Sequence, residues 1–513
     1  MPIGNSNYEI LDDDRLLGES VFYRNNQLVT GNGSPVSGGG MAPYLGFVAT
    51  HMVWPNNNQS FNKQLFSRSR HVARDDMSDI KLGYTNMMLA GVGGTEYLPG
   101  YTTTIKCSIE YPVGAAPQLL TFSEGSSGVI AADGQIVFTD LTNLRTKIPR
   151  GAAFYIRTYQ TSPGGIVYAS GRGASQSGAV ASNGETITVG VTVTDYTEST
   201  TVPNATSNLV MYGPCAILGT TIRPSFFVFG DSRAYGSGET PFYGGLNQFG
   251  ACGIVERAVS RYAAICNPSI PSAKAVDAAA TNSSYNVRGV LSQYASHFIN
   301  ELGINDCGGG YTYAQLIANL RAMVGKFGDK PTLLMTLDPS TSSSTDGWLT
   351  VANQTTQASG ETVRVAYNNM LSGGGLSGPF CGVIDTRAIY ESAPNSGKFK
   401  AAMRTYSDGA MTAGSNILTS ASANFQPDDC GCGVTVLGAG AAGAPLVGYI
   451  SAVTNATTVT IGNASFAAVN ASTTVSGATW GFPLTVDGVH TTTQANRVQE
   501  FDNCWQVVAG LLL

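Results

Sequence analysis

The sequence predicts an α/β protein in which a parallel sheet is joined to two regions built mainly of β-strands. The chain of 513 residues contains 62 glycines and only 12% charged residues, a composition typical of turn-rich β proteins. Strand-like and helix-like segments alternate over residues 221–407, which favours βαβ units and a parallel sheet. Short alternating apolar segments, separated by Gly, Ser and Pro, occupy residues 101–220 and 408–482 and favour antiparallel β-structure.

Residues 1–100 show weak periodicity and are predicted to form an irregular or β-rich N-terminal region. Their one basic cluster, residues 67–74, is followed at once by Asp75, Asp76 and Asp79, which favours a solvated face with local ion pairs over a binding patch. Residues 101–220 are predicted to form a β-sandwich or jelly roll. The strand candidates of this region are residues 102–111, 119–122, 135–138, 153–159, 186–194 and 208–212.

The parallel-sheet region begins with residues 225–229, a short apolar run that ends at Gly230 and is typical of a buried parallel strand. Residues 408–482 contain no Lys or Arg and interrupt the region as an inserted β module, and residues 483–513 complete it. Further strands are predicted at 263–266, 297–302, 332–337 and 381–385, and helices at 246–262, 287–295, 314–327, 361–371 and 491–513.

Charge and cysteine content argue against several classes of protein. A net charge of −6 gives no electrostatic case for nucleic-acid binding. No run of about 18 apolar residues occurs, so we expect no membrane span, and residues 12–14, all Asp, do not fit a cleaved export signal. Nine scattered cysteines, with only Cys430 and Cys432 close together, favour buried thiols in a reducing cytoplasm over a zinc site.

Gly230-Asp231-Ser232 directly follows the first predicted parallel strand. Ligands of open α/β sheets bind beyond the carboxyl ends of the strands, so a serine at this turn can present its hydroxyl to a crevice. Taken alone, the tripeptide is too short to favour this role over a turn that caps a helix. A serine hydroxyl is a poor nucleophile unless a base, usually His, lies beside it.

The chain has four histidines, and only His490 follows a carboxylate, Asp487, by three residues in a glycine-containing loop. At this spacing Asp487 can accept from Nδ1 and leave Nε2 for Ser232. His297, at the start of a predicted strand, is the nearest alternative, whereas His51 and His71 are expected to have structural or surface roles. Asn305, at the end of the strand predicted over 297–302, is a candidate oxyanion donor or a simple turn former.

With Gly230-Asp231-Ser232, Gly303-Ile304-Asn305-Asp306 and Asp487-Gly488-Val489-His490 in this order, the sequence resembles the SGNH (GDSL-type) hydrolase family. The resemblance covers residues 221–407 and 483–513. It implies a flavodoxin-like three-layer α/β/α core and ester hydrolysis without a metal or another cofactor.

The resemblance also implies a role for each matching residue. Ser232 would be the nucleophile, His490 the general base and Asp487 the residue that orients it. The oxyanion hole would consist of Ser232, Ser272 and Asn305. Ser272 stands where the family usually has a glycine that donates its backbone N–H.

The inserted module resembles β segments of phage tail-fibre and tailspike proteins in residues 411–416, 423–425, 438–443 and 456–460. This likeness implies a virion-associated protein that is made in the cytoplasm without a signal peptide and released by lysis. A homo-oligomer is expected on the same ground, and a trimer if the chain is part of a phage tail.

Together these expectations describe a serine esterase that removes O-acetyl or other short acyl groups from a bacterial surface polysaccharide. Its partner would be the acylated glycan, and the reaction would pass through an acyl-enzyme on Ser232. Two alternatives stay open at this stage. One is a structural or glycan-binding virion protein with a vestigial hydrolase fold, and the other is a lipid acyl hydrolase.

Overall fold

The computed structural model describes residues 21–24, 27–30, 41–89, 95–123, 125, 128–130, 134–170, 180, 183–201, 203–205, 210–240, 243, 246–280, 285–464 and 467–512. These residues form a mixed α/β structure with an antiparallel N-terminal part, a parallel five-stranded sheet and a closed β-barrel. No helix in these ranges is both long enough and apolar enough to cross a membrane. Residues 1–20, on which the expectation about export depends, lie outside the described residues.

Two antiparallel sheets dominate the N-terminal part, with strand orders β10-β9-β14-β5-β16 and β12-β6-β18-β3. Strand β11 pairs with β9, and β13 pairs with β6. The strands are β1 Val21–Arg24, β2 Gln27–Thr30, β3 Tyr44–Phe47, β4 Asn57–Gln59, β5 Gln64–Val72, β6 Met77–Tyr84, β7 Met88–Leu89, β8 Glu96–Tyr97, β9 Thr103–Glu110, β10 Gln118–Leu120, β11 Gly128–Ile130, β12 Val137–Phe138, β13 Thr142–Ile148, β14 Ala153–Thr161, β15 Ile166–Ser170, β16 Thr186–Gly190, β17 Val210–Met211 and β18 Ala216–Thr221.

Strands from both sides of residue 100 share these sheets, because β14 lies between β5 and β9. The boundary predicted at residue 100 therefore does not divide the sheets. Strand β5 is buried along most of its length, so the alternation that marks a half-exposed strand is missing from its sequence. Of the strand predicted at 208–212, residues 208 and 209 lie outside the described residues.

The predicted solvated face at residues 67–74 is wrong. Arg68 lies on β5 and is only 3% exposed, and its Nε donates to Glu110 Oε2 at 2.9 Å. Arg157 on β14 donates to the same oxygen at 2.9 Å. The carboxylate that Arg68 bonds lies on β9, two strands away in the sheet, and not among the acidic residues that follow Arg68 in sequence, so a local charge pattern could not reveal it.

The parallel sheet has the strand order β20-β19-β21-β22-β25, and each pair in it is parallel. Its strands are β19 Ser225–Phe229, β20 Ala264–Cys266, β21 His297–Asn300, β22 Thr332–Met335 and β25 Phe380–Ile384, and a separate hairpin is formed by β23 Thr341–Ser344 and β24 Gln354–Thr356. The helices of this region are α1 Ser232–Tyr235, α2 Glu256–Val259, α3 Ala275–Ala279, α4 Ile304–Gly308, α5 Tyr313–Lys326, α6 Glu361–Ser372 and α7 Arg387–Tyr390, with a 3₁₀ segment at Arg288–Tyr294.

Successive residues of β19 enter two different hydrophobic clusters, as the two-residue period of a strand requires. Phe226 and Val228 join the cluster that contains Trp505 and Val508. Phe227 and Phe229 join a larger cluster that continues into the N-terminal sheets. The parallel sheet therefore shares one apolar core with the N-terminal part of the chain.

Residues 405–481 form a closed six-stranded barrel with the order β26-β27-β30-β29-β28-β31. Its strands are β26 Thr405–Met411, β27 Ile417–Thr419, β28 Gly433–Val436, β29 Leu446–Asn455, β30 Thr458–Gly462 and β31 Val475–Gly481, with 3₁₀ turns at Pro427–Asp429 and Ala441–Gly443. Trp480 is fully buried in the barrel and stacks on Tyr406 with 4.6 Å between ring centroids. Thr405 pairs with Gly481, so the chain enters and leaves the barrel on adjacent strands.

Two predicted helices are shorter than expected. The helix predicted over 246–262 forms only at α2, because Gly250 and Gly253 adopt left-handed φ angles of 76° and 79° that end a right-handed helix. The helix predicted over 491–513 is divided after Gln499, where Asp502 accepts the N–H of Cys504. The resulting pieces are α8 Thr493–Gln499, a 3₁₀ turn at Asn503–Trp505 and α9 Gln506–Gly510. All nine cysteines are unpaired, and six of them are buried.

Candidate active site

Ser232 begins helix α1 directly beyond the carboxyl end of β19. The turn between them requires a glycine, because a Cβ at Gly230 would lie 2.5 Å from Ala234 Cβ. Asp231 caps the helix by accepting the N–H of Arg233 at 3.0 Å. The short helix therefore holds the half-buried Ser232 hydroxyl at the edge of the sheet where the parallel strands end.

His490 reaches Ser232 across 258 residues of sequence, with 2.9 Å between Nε2 and Oγ. Its other ring nitrogen, Nδ1, lies 2.6 Å from Asp487 Oδ2. A proton on Nδ1 donates to the carboxylate, and Nε2 is then the acceptor for the Ser232 hydroxyl. The structure thus brings together the three side chains that the sequence singled out as nucleophile, base and orienting acid.

The loop that carries Asp487 and His490 is fixed by its own hydrogen bonds. Asp487 Oδ1 accepts the backbone N–H groups of Val489 and His490, both at 2.8 Å. Burial raises the pKa of Asp487, but the hydrogen bonds and the charge of His490 outweigh this effect and lower it to about 2. The carboxylate is therefore ionised at neutral pH and can stabilise a protonated imidazole.

Asn305 lies in α4, which begins beyond the carboxyl end of β21. Its Nδ2 donates to Asp231 Oδ2 at 2.9 Å and to the carbonyl oxygen of Ala273 at 3.1 Å. Asn305 and Ser232 line the same cavity, so the two residues belong to one site. Its role as an oxyanion donor stays a prediction.

Ser272 adopts a left-handed backbone conformation with φ of 66°. This region favours glycine, the residue that the family resemblance leads us to expect here. Ser272 is exposed and is not one of the described residues that line the cavity beside Ser232. The prediction that its backbone N–H joins the oxyanion hole stays a prediction.

The cavity beside Ser232 has a volume of about 160 Å³. Seven of its eleven lining residues are polar or charged, and the first turn of α6 contributes part of the wall. The lining residues are Ser232, Ile304, Asn305, Gly308, Ser340, Gln357, Ser359, Gly360, Glu361, Arg364 and Val489. A site of this size, with a nucleophile at one side, suits a short acyl group better than a long chain.

Sequence reasoning missed a group of buried acids beneath the nucleophile. Glu301 Oε2 accepts the N–H of Asp231 at 2.9 Å, and burial raises the pKa of both carboxyl groups. Burial also raises the pKa of Asp338 to about 6. Arg233 lies near these acids, and its Nη2 donates to the Pro339 carbonyl and to Ser340 Oγ, both at 2.9 Å. In the sequence, Glu301 lies inside the strand predicted over 297–302, and a carboxyl group in such an apolar-leaning segment was the signal available.

The other three histidines lie away from Ser232. His297 is at the amino end of β21, the opposite edge of the sheet, and its Nδ1 lies 2.8 Å from Ser296 Oγ. His51 and His71 are buried in the N-terminal part, and burial lowers the pKa of His71 to about 3. Within the described ranges, no group of three or more His, Cys, Asp or Glu side chains is arranged to hold a metal ion.

Structural neighbours of this chain include esterases and lipases, at low sequence identity. An esterase, EstA, from Pseudoalteromonas sp. is 23% identical over 22% of this chain and 59% of its own, with a TM-score of 0.18. A lipase/acylhydrolase from Enterococcus faecalis is 14% identical over 35% of this chain and 88% of its own, with a TM-score of 0.23. A Bacteroides ovatus protein described as a GDSL-like lipase is 7% identical over 65% of this chain and 75% of its own, with a TM-score of 0.24.

Neither the family models nor the curated proteins gave a match to this sequence. The chain spans 59% of the length of the Pseudoalteromonas esterase.

Proposed function

We propose that this protein is a serine esterase of SGNH type. The observation that carries the proposal is the continuous hydrogen-bonded relay from Ser232 Oγ through the His490 imidazole to Asp487, with spacings of 2.9 and 2.6 Å. A hydroxyl, an imidazole and a carboxylate in this order form the arrangement that activates serine for acyl transfer.

In the proposed reaction His490 Nε2 takes the Ser232 proton while Oγ attacks the ester carbonyl. The imidazolium, stabilised by Asp487, then gives this proton to the leaving alcohol, and an acyl-enzyme remains on Ser232. Water next attacks the acyl-enzyme, with His490 as its base. The proton passes back to Oγ as the carboxylic acid leaves, and the free enzyme is restored.

The developing oxyanion requires hydrogen-bond donors. We assign this role to the backbone N–H groups of Ser232 and Ser272 and to the side-chain amide of Asn305. Asn305 already donates to the Ala273 carbonyl, so a substrate oxyanion would share or replace this acceptor. Catalytic hydrogen bonds often reach their final geometry only when substrate is bound.

As substrate we propose an O-acetylated or similarly short-acylated polysaccharide of a bacterial surface. The small volume of the cavity supports a short acyl group, and it disfavours the lipid acyl hydrolase, whose substrates need a longer site. The resemblance of residues 408–482 to phage tail β segments supports a virion-associated protein with a surface glycan as its target.

The test compares acetate release from p-nitrophenyl acetate and from an O-acetylated bacterial polysaccharide by the wild type and Ser232→Ala. We expect Ser232→Ala to lower kcat by on the order of 10⁶, as loss of the nucleophile does in other triads. Equal rates for the two proteins would end the esterase proposal. Polysaccharide binding without acetate release would favour the glycan-binding alternative instead.

A further inference from the structure

The loop between Asp487 and His490 is also held from outside, by the hairpin of β23 and β24. The carbonyl oxygen of Gly488 accepts the backbone N–H of Thr341 at 2.8 Å and the Thr341 hydroxyl at 3.1 Å. Gly488 packs so closely against the hairpin that an added Cβ would lie 2.5 Å from the Thr341 carbonyl oxygen and 3.0 Å from the ring of Trp348. The hairpin therefore contacts the middle of the segment that positions both side chains of the relay.

The Trp348 indole determines the direction in which the Thr341 hydroxyl donates its proton. Its indole Nε1 donates to Thr341 Oγ1 at 2.8 Å. A hydroxyl has one proton to donate, so with the indole as its donor Thr341 Oγ1 is free to direct this proton to Gly488. The three groups form a chain that runs from the Trp348 indole through the Thr341 hydroxyl to the backbone of the catalytic loop.

The backbone of Trp348 is strained, with φ of 65° in the left-handed region that bulky residues rarely adopt. Such a conformation persists only where the surroundings impose it, and it is frequent at functional sites. Here the N–H of Trp348 donates to Ser344 Oγ at 2.8 Å, and that hydroxyl donates to the buried carboxylate of Asp346 at 2.8 Å. The hairpin thus holds the indole in place against the loop.

The barrel also contacts the hairpin, through a hydrogen bond to its loop. Thr435 on β28 donates its hydroxyl to the carbonyl oxygen of Gly347 at 2.9 Å, next to Trp348. Thr435 is fully buried, so this contact is shielded from water. The inserted barrel therefore connects through the hairpin to the catalytic loop.

We propose that Thr341 and Trp348 are positioning residues that set the His490 imidazole at its distance from Ser232. The proposal rests on the proposed function, because it assumes that His490 activates Ser232. Neither Thr341 nor Trp348 is among the described residues that line the cavity, so both act through the loop and not through the substrate. Loss of the hydrogen bonds between Trp348, Thr341 and Gly488 is therefore expected to lower kcat and leave KM nearly unchanged.

The experiment uses the full chain and measures kcat and KM for p-nitrophenyl acetate. Thr341→Val keeps the shape of the side chain and removes both hydrogen bonds of the hydroxyl. We expect it to lower kcat by about 10- to 100-fold, the effect of a small misplacement of catalytic groups. Thr341→Ser keeps the hydroxyl and should restore kcat to within about threefold of the wild type. The matched control is Thr355→Val, an exposed threonine on β24 of the same hairpin, which should not change kcat.

Trp348→Phe tests the second link of the chain, because it removes the indole donor and keeps an aromatic ring. It should lower kcat less than Thr341→Val does. The double variant should be no slower than Thr341→Val alone, since the indole acts through the hydroxyl that this variant has already lost. Additive losses of kcat in the double variant would contradict the proposal that the indole acts through the Thr341 hydroxyl.

A second measurement, the rate at which a fluorophosphonate reacts with Ser232, reports on activation of the hydroxyl without a natural substrate. This rate should fall in Thr341→Val and recover in Thr341→Ser.

A wild-type labelling rate and a wild-type kcat in folded Thr341→Val would overturn the inference. If Thr341→Val does not fold, Trp348→Phe decides the inference by the same criteria. If Ser232→Ala retains esterase activity, the proposed function fails; if Ser232→Ala is inactive and Thr341→Val is normal, only this inference fails.

Discussion

Asp487 has two tasks, because one carboxylate oxygen accepts from His490 Nδ1 and the other accepts two backbone N–H groups of the loop. The carboxylate therefore fixes both the tautomer of the imidazole and the shape of the turn that presents it. Few residue types can do this. A neutral amide of the same shape would offer Nδ1 a donor, and the imidazole would then carry its proton on Nε2.

Asp487→Asn is therefore expected to lower kcat for p-nitrophenyl acetate by about 10⁴, the cost of the wrong tautomer in other triads. Its matched control is Asp502→Asn, which alters the carboxylate that caps the 3₁₀ turn after α8 and should leave kcat unchanged. Retention of more than a tenth of wild-type kcat by Asp487→Asn would contradict the role assigned to this carboxylate.

Single residues of the site could be selected from the sequence wherever chemistry restricts the choice. A nucleophilic serine needs a base, and only one of four histidines had a carboxylate at a usable spacing. Glu301 and Asp338 could not be found in this way, because buried acids become recognisable only through the contacts that surround them. Similarly, the left-handed φ of Ser272 is a property of the folded backbone, and its residue type gave no sign of it.

At the scale of elements, the Gln494 side chain joins helix α8 to the barrel. Gln494 is only 7% exposed, and its carboxamide accepts the N–H of Gly433 at 2.8 Å. The same carboxamide donates to the carbonyl oxygens of Gly433 at 3.1 Å and Pro483 at 2.6 Å. Because Pro483 leads into the loop with Asp487, this side chain links the barrel, helix α8 and the catalytic segment.

Gln494→Ala is expected to lower the free energy of unfolding by about 2–4 kcal/mol, because three hydrogen bonds are lost and buried backbone groups of Gly433 stay unsatisfied. Urea unfolding followed by circular dichroism measures this change. Gln293→Ala is the control, since the exposed Gln293 side chain donates to the Val290 carbonyl of its own 3₁₀ segment, and it should change stability by less than about 0.5 kcal/mol. A similarly small change in Gln494→Ala would show that this link is not important for stability.

Elements with a strong local signal were predicted well, and those that depend on distant partners were not. Helix α5 has a clear apolar face and a capping box formed by Thr312 and Gln315, and its observed span is within one residue of the prediction at each end. Residues 408–482 were recognised as β-structure from their composition. Closure of the barrel could not be foreseen, because it depends on the pairing of β26 with β31, about 70 residues later in the chain.

For the molecule as a whole, the contact between the N-terminal sheets and the catalytic region buries polar and ionisable groups. Thr50 donates to the Phe249 carbonyl at 2.9 Å, and His51 packs against Gly250. Glu256 is buried next to this contact and accepts from Asn267 Nδ2 at 3.2 Å. Burial raises the pKa of Glu256 from 4.5 to about 8, so the folded protein holds this carboxyl in its neutral form near pH 7.

This shift gives stability a defined pH dependence. Between pH 4.5 and about 8 the folded state holds a proton that the unfolded chain has released, so Glu256 contributes less to stability as the pH rises through this range. Glu256→Gln should match the wild type near pH 4 and exceed it by about 4 kcal/mol at pH 8.

Urea unfolding at several pH values measures the difference between Glu256→Gln and the wild type. The control is Glu198→Gln, because the side chain of Glu198 is 60% exposed and should give no such trend. Parallel pH profiles for Glu256→Gln and the wild type would contradict the burial-induced shift.

The account as a whole depends on the activation of Ser232 by His490, which mass spectrometry of fluorophosphonate-treated protein tests most directly. The serine oxygen would displace fluoride and form one adduct, so we predict a single modified peptide that contains Ser232. Labelling should be at least about 10³-fold slower in His490→Ala, as the loss of a triad base suggests, and unchanged in His297→Ala. An unmodified Ser232, or a wild-type labelling rate in His490→Ala, would contradict the central claim.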